Sequence, residues 1–242
     1  MELIIELTII TALSALQSVF GVGLLLFGTP AFLLIGYNFE STLGILLPVS
    51  ISISLLQIVN QKTFTKSHIN EYNTFCLPAL FVILFITINI GNIAYIKQYV
   101  LILLIISALL ILNANRILLI HDFFLKYRKL ALVFIGSIHG FTNMGGGFLS
   151  IFSTVLNAGD KNLSRNYIAY GYFTMGVIQY VVILLFGVKN IDLTKLFYIL
   201  IPLVLFFPSQ KLFSKIDDKI FMRLINYFAL IFGVIALSIS FK

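Results

Sequence analysis

Long stretches of this chain carry no Asp, Glu, Lys or Arg and are apolar on every face. These charge-free runs are 7–39, 41–61, 72–96, 98–115, 130–159, 166–188, 196–210 and 224–241. Most are at least eighteen residues long, enough helix to cross a hydrocarbon core of about 30 Å. The shortest, 196–210, becomes adequate if Lys195 and Lys211 extend their stems to the interfaces. Runs such as 100-VLILLIISALLIL-112 do not alternate polar and apolar positions, which excludes a β-barrel. The pattern predicts an all-α membrane protein with about eight transmembrane helices.

The order of run lengths repeats. Each group of four opens with its longest run, 7–39 and then 130–159, and both carry a glycine cluster. The stretch 17-QSVFGVGLLLFGTP-30 aligns with 141-FTNMGGGFLSIFST-154 without a gap at an offset of 124. Gly21 then falls on Gly145, Gly23 on Gly147, Leu25 on Leu149 and Thr29 on Ser153. The following runs begin with matching polar groups, 40-ESTLG-44 and 164-SRNYI-168. Two repeated four-element halves are expected, each opening with a glycine-broken segment: residues 1–115 and 130–242. A basic connection, 116–129, lies between them as an amphipathic segment on the membrane surface.

Glycine permits φ > 0 and close approach of a ligand to the backbone. A helix interrupted inside a membrane exposes N–H and C=O groups, tolerated only where they face protein or a cavity. Paired interruptions in related halves are how many secondary transporters build substrate sites. The competing reading is close helix–helix contact, the commonest use of small residues in membranes. The site reading takes in Gln17, Ser18, Gly21 and Gly23 at the first cluster, and His139, Thr142, Asn143, Gly145, Gly146 and Gly147 at the second.

The signatures 21-GVGLLLFGTP-30 and 145-GGGFLSIFST-154 also resemble the TauE/SafE sulfite exporter family, the TSUP permeases. That family has a glycine signature of the kind G-x-G-G-x-x-x-x-P near the start of each of two halves. This chain carries Val22 and Leu24 in the first, and Thr154 in place of the proline in the second. The resemblance implies export of small anions such as sulfite, sulfoacetate or other organosulfonates across the plasma membrane, here a bacterial inner membrane.

Only 10% of the residues are charged, far below the quarter usual in soluble domains. The net charge of +7 lies between apolar runs, where it meets headgroups rather than nucleic acid. With eight simple crossings, nine Lys and Arg share the side of both termini and seven lie opposite, favouring cytoplasmic termini. Segments that turned back on themselves would void that count.

Among single residues, His139 is the one His inside a run, suited to proton linkage, to binding a sulfonate or to an interhelical bond. Arg165 can clamp a sulfonate, although its place beside Asp160 and Lys161 favours a headgroup anchor. Ser41 and Thr42, with Arg165 and Asn166 as counterparts, open the next helices and serve as caps or contacts. Gln57 and Gln179 occupy similar places in the halves, and Gln179 completes the candidate set. No Asp or Glu lies deep in any run except Glu40, at a segment boundary, which disfavours an acid-lined cation path. Neither cofactor nor metal is expected. The single Cys76 forms no internal disulfide. No HExxH or paired carboxylates appear. Ser150 and His139 would stand about 16 Å apart along a continuous helix. The chain therefore reads as no enzyme. A small anion and the bilayer are the expected partners, with a homo-oligomer possible. An anion channel or a non-catalytic membrane scaffold subunit is the alternative.

Overall fold

A computed structural model describes residues 2–61, 65–90, 124–187 and 192–221, together with the isolated positions 102, 122, 223, 224 and 227. Apart from those isolated positions, the predicted runs 98–115 and 224–241, and most of the 116–129 connection, lie outside the described residues. The described chain is helical without strands. Its elements are α1 (Glu2–Phe20), α2 (Leu24–Leu34), α3 (Phe39–Asn60), α4 (Lys66–Ile90), α5 (Arg128–Thr142), α6 (Gly146–Leu156) and α7 (Lys161–Phe186). A 3-10 turn, Leu193–Ile199, then leads directly into α8 (Leu200–Lys215).

Among the described residues, five stretches are long and apolar enough to cross a membrane: Leu3–Phe20, Phe39–Asn60, Lys66–Asn89, Lys161–Phe186 and Thr194–Lys215. Their outer faces are greasy, with Val204 73% and Phe207 70% exposed, while Gln17, Ser50, Ser54 and Gln57 are buried. Apolar outside and polar inside is the arrangement a bilayer favours. Side-chain caps start two of the long helices. Asn38 starts α3 by accepting the Ser41 N–H at 2.7 Å. Asp160 starts α7 by accepting from Asn162 and Leu163 at 2.8 and 2.9 Å.

The runs 7–39 and 130–159 are not simple crossings. Their second helices, α2 and α6, have 11 residues each. A helix of that size is about 16 Å long, half of a bilayer core. Both double back on the helix before them. A Cβ on Gly28 would stand 3.4 Å from Leu13 Cδ1, and the Tyr37 hydroxyl donates to the Glu6 carboxylate. In the second hairpin the Phe134 and Phe148 rings lie 5.6 Å apart, and those of Phe124 and Phe152 lie 5.5 Å apart. Hydropathy scores a crossing and a return alike, so the eight-crossing orientation count does not apply.

The hairpins sit in a cage of long helices. The main contacts run between α4 and α5, between α1 and α8, and between α3 and α7. α3 and α7 are antiparallel, with Gln61 Nε2 donating to Asn162 Oδ1 at 3.3 Å and Gly176 against Ile51. α5 lies close on α4 because Gly136 and Gly140 meet it one turn apart. A Cβ at Gly140 would stand only 2.6 Å from Leu80 O, and one at Gly136 would overlap Cys76 O. This is the small-xxx-small device of membrane helices. The sequence displays it as 136-GSIHG-140, beside the more conspicuous triplet.

Candidate substrate site at the helix breaks

The first break begins where α1 runs out of helical backbone. Gly21 and Gly23 have φ of +78° and +150°, values that side chains disfavour. The last carbonyls of α1 are taken up by distant side chains. Gln57 Nε2, from α3, donates to Gln17 O at 2.7 Å and to Ser18 O at 3.2 Å. Arg165 Nη2, from α7, donates to Ser18 O at 2.7 Å, and Gln210 Nε2, from α8, to the same oxygen at 3.2 Å. Arg165 Nη2 also donates to Gln210 Oε1 at 2.8 Å. The Gln17 amide turns away and donates to Ser50 Oγ at 2.9 Å and Ser54 Oγ at 3.2 Å.

Arg165 is the chemical centre of this arrangement. It is 1% exposed, its guanidinium lies 4.0 Å over the Phe213 ring, and Gly21 faces its aliphatic stem. No acidic side chain pairs with it among the described residues. The α1 carbonyl terminus offers it a partial negative charge and no full counter-ion. Its Nε and Nη1 donors have no partner, and neither does the hydroxyl of Ser18, whose carbonyl Arg165 bonds. A buried cation with idle N–H groups is chemically suited to a small oxyanion.

The second break is neutral. Asn143 closes α5 in the left-handed region at φ 62°, which Asn tolerates better than most residues. Its Nδ2 donates to Thr29 Oγ1 of α2 at 2.9 Å, joining the two hairpins, while its Oδ1 has no partner. Thr142 Oγ1 accepts the Met144 N–H at 3.2 Å. Gln179 Nε2 donates to His139 O at 3.3 Å, and its Oε1 lies 3.1 Å from His139 Nε2. With the Gln oxygen as acceptor, His139 carries its proton on Nε2, and Nδ1 stands without a partner. Gly145 lies against Ile135 O and His139, Gly146 against the Tyr172 hydroxyl and Gly147 near Leu26.

Two clusters therefore form from the candidate residues. Gln17, Ser18, Gly21 and Arg165 meet at the first break, and Gly23 packs on Leu16 beside it. His139, Thr142, Asn143, Gly145, Gly146, Gly147 and Gln179 meet at the second. Asn166 is buried next to Arg165 in α7. Ser41 and Thr42 fall elsewhere, in the first turn of α3, where they bond the N-cap Asn38. Arg165 lies inside the protein, not at the headgroups where its neighbours in sequence had placed it. Sequence reasoning missed Gln210, Ser50, Ser54, Thr29 and Tyr172. A polar residue inside a run is the only signal the first four give, and Tyr172 gives none.

A third polar cluster was not expected. Glu6 is 1% exposed, although the sequence pointed to Glu40 as the one acid near an apolar interior. Lys195 lies 2.6 Å from its carboxylate, and the hydroxyls of Tyr37 and Tyr198 also donate to it. No family model matches the chain, and no curated protein or solved structure does either.

Proposed function

We propose that this protein is a two-repeat permease for small anions, with its site at the paired glycine breaks. The observation that carries this reading is the Arg165 guanidinium, buried at the first break with idle donors and no acidic partner among the described residues. A purely structural arginine sheds such a cost by pairing. A binding site keeps it open for a charged ligand.

The repeat has independent support. Exchanging the halves maps the contact of α1 with α8 onto that of α5 with α4, and maps α3 with α7 onto itself. The offset of 124 sets Lys195 on Glu71, and each is in an ion pair: Lys195 with Glu6 at 2.6 Å and Glu71 with Arg128 at 3.0 Å. Gln57 and Gln179 each donate to a carbonyl in the last turns of the broken helix of their own half. Paired breaks in related halves suit a carrier better than a scaffold.

The glycine signatures at 21–30 and 145–154 resemble the TauE/SafE family, which makes sulfite and organosulfonates such as sulfoacetate the substrates to try first. On this reading the protein is a transporter of the plasma membrane and not an enzyme.

The test is thermal melting of detergent-purified protein against sulfite, sulfoacetate, isethionate, taurine, acetate and lactate. A ligand that binds only the folded state raises Tm by mass action. Stabilisation by a sulfonate that Arg165→Gln abolishes supports the site. No shift with any anion, or an equal shift in the variant, overturns it.

A further inference from the structure

The two ends of the helix cage differ in charge, and contacts assign those ends without reference to a membrane. One end gathers Gln61 with Asn162, Glu71 with Arg128 at 3.0 Å, and Lys161, whose ammonium donates to Ile216 O. It thus holds the starts of α4, α5 and α7 and the end of α8. Phe20, at the tip of the first hairpin, reaches it through Phe221, the ring centroids 5.6 Å apart. The other end gathers Glu6, Tyr37, Tyr198 and Lys195.

Of the eleven described Lys and Arg, Arg165 is buried inside the protein and nine lie at the first end, among them Lys66, Lys129, Lys161, Lys211, Lys215 and Arg223. The other end holds Lys195 alone among the described residues, neutralised by Glu6. The chain has 16 Lys and Arg in all, so 16 − 11 leaves five outside the described residues. Assigning all five to the second end would still leave nine against six. Acids at the basic end, such as Asp160 and Asp217, count for little, because orientation follows Lys and Arg near helix ends.

We propose that this basic end meets the anionic headgroups of the cytoplasmic leaflet. α1 then starts outside the cytoplasm, opposite to the orientation that simple crossings suggested. The returns of α2 and α6 are what re-sort the charges. Anionic headgroups attract each Lys or Arg near the surface, and a nine-to-one distribution among the described residues gives one orientation a clear advantage. Arg165, four residues into α7 from Lys161, lies toward the cytoplasmic end. A small anion would therefore load from inside, as export requires; that consequence, unlike the sidedness, rests on the anion reading.

The experiment is labelling with a membrane-impermeant maleimide in intact cells and in inverted membrane vesicles. Thr65→Cys and Ser214→Cys report the basic end, and Thr194→Cys the other; all three positions are exposed. The native Cys76 is buried and serves as the unlabelled control. The expected result is no labelling at positions 65 and 214 in intact cells and full labelling on inversion, with 194 behaving oppositely. The reverse pattern, or labelling of each position from both sides, overturns the proposal. If a sulfonate stabilises the protein through Arg165 while position 194 labels only in inverted vesicles, the sidedness fails and the anion reading stands. If the labelling is as expected and no anion binds, the anion reading fails alone.

Discussion

The two breaks share a glycine spacing and a capping glutamine, and they differ in charge and in how many distant groups hold them. At the first, α1 ends on carbonyls gathered by Gln57, Arg165 and Gln210 from three separate helices. At the second, α5 ends mainly on its own residues, with Asn143 in the left-handed region and Thr142 taking the next N–H, and with one distant donor, Gln179, on His139 O. The first carries a buried cation; the second carries neutral amides, an imidazole and a phenol. Glycine spacing thus sets where a helix stops, and residues far along the chain set what the stop can bind. One break presents charge, and the other holds the hairpins together.

Filling the second break should give the largest effect. A Cβ at Gly146 would overlap the Tyr172 ring and hydroxyl, and overpacking of this kind costs about 1–3 kcal/mol or more. Gly146→Ala should lower Tm clearly, and Tyr172→Ala in the same chain should recover part of the loss. At Gly21 the neighbours leave more room, the nearest Arg165 Cγ standing 3.3 Å from a new Cβ, and the cost there is chiefly that of φ +78°. About 1–2 kcal/mol is expected for Gly21→Ala. A Gly146→Ala protein that melts like wild type would show that the second break is not a close contact.

The charge difference predicts the next effect. At a sulfonate concentration of about 100 times Kd, binding stabilises by about 2.7 kcal/mol. Arg165→Gln should lose all of it. Its ligand-free stability should change little, because removing an uncompensated buried cation offsets the lost bond to Ser18 O. Asn143→Ala should keep most of the ligand shift, because the neutral second break offers a bound anion hydrogen bonds and no charge. Equal loss of the shift in both variants would mean that the second break binds as strongly as the first, and the contrast between them would fall.

The sequence shows the breaks, and physical reasons explain why it shows little else. Glycine clusters inside apolar runs are local, so positions 21–23 and 145–147 stand out. The chemistry of the first break depends on a bond between Ser18 and Arg165, 147 residues apart. Beside Asp160 and Lys161, Arg165 looks like an interface residue; only the doubling back of α1 and α2 brings the break to it. Glu6 misleads for a related reason. It stands just outside run 7–39 but is covered by Tyr37 between α2 and α3 and by Tyr198 before α8. Crossing and returning helices have the same hydropathy, so the count of spans follows from contacts such as Phe134 with Phe148.

Two glutamines sharpen the comparison further. Gln57 serves two carbonyls, the closer at 2.7 Å, whereas Gln179 serves one at 3.3 Å. Gln57→Ala would leave Ser18 O with its other donors but would strip Gln17 O of its side-chain partner. A loss of about 1–3 kcal/mol is expected, with a smaller loss for Gln179→Ala. Equal losses, read from thermal melts, would mean that distant capping matters no more at the first break than at the second.

The smallest effect separates backbone from side chain at Asn143. Asn143→Gly keeps the positive φ without strain and removes the bond to Thr29 Oγ1, so it should cost about 1 kcal/mol. Asn143→Ala removes the same bond and adds left-handed strain, so it should cost about 1–2 kcal/mol more. Thr29→Val removes the partner and would leave Nδ2 idle, and combining it with Asn143→Gly should add little. Additive losses in that pair, measured by melting, would mean that the 2.9 Å contact does not join the hairpins. If the Gly and Ala variants instead melt alike, the left-handed cap is not what ends α5. The second break would then be held from outside its own hairpin, as the first one is.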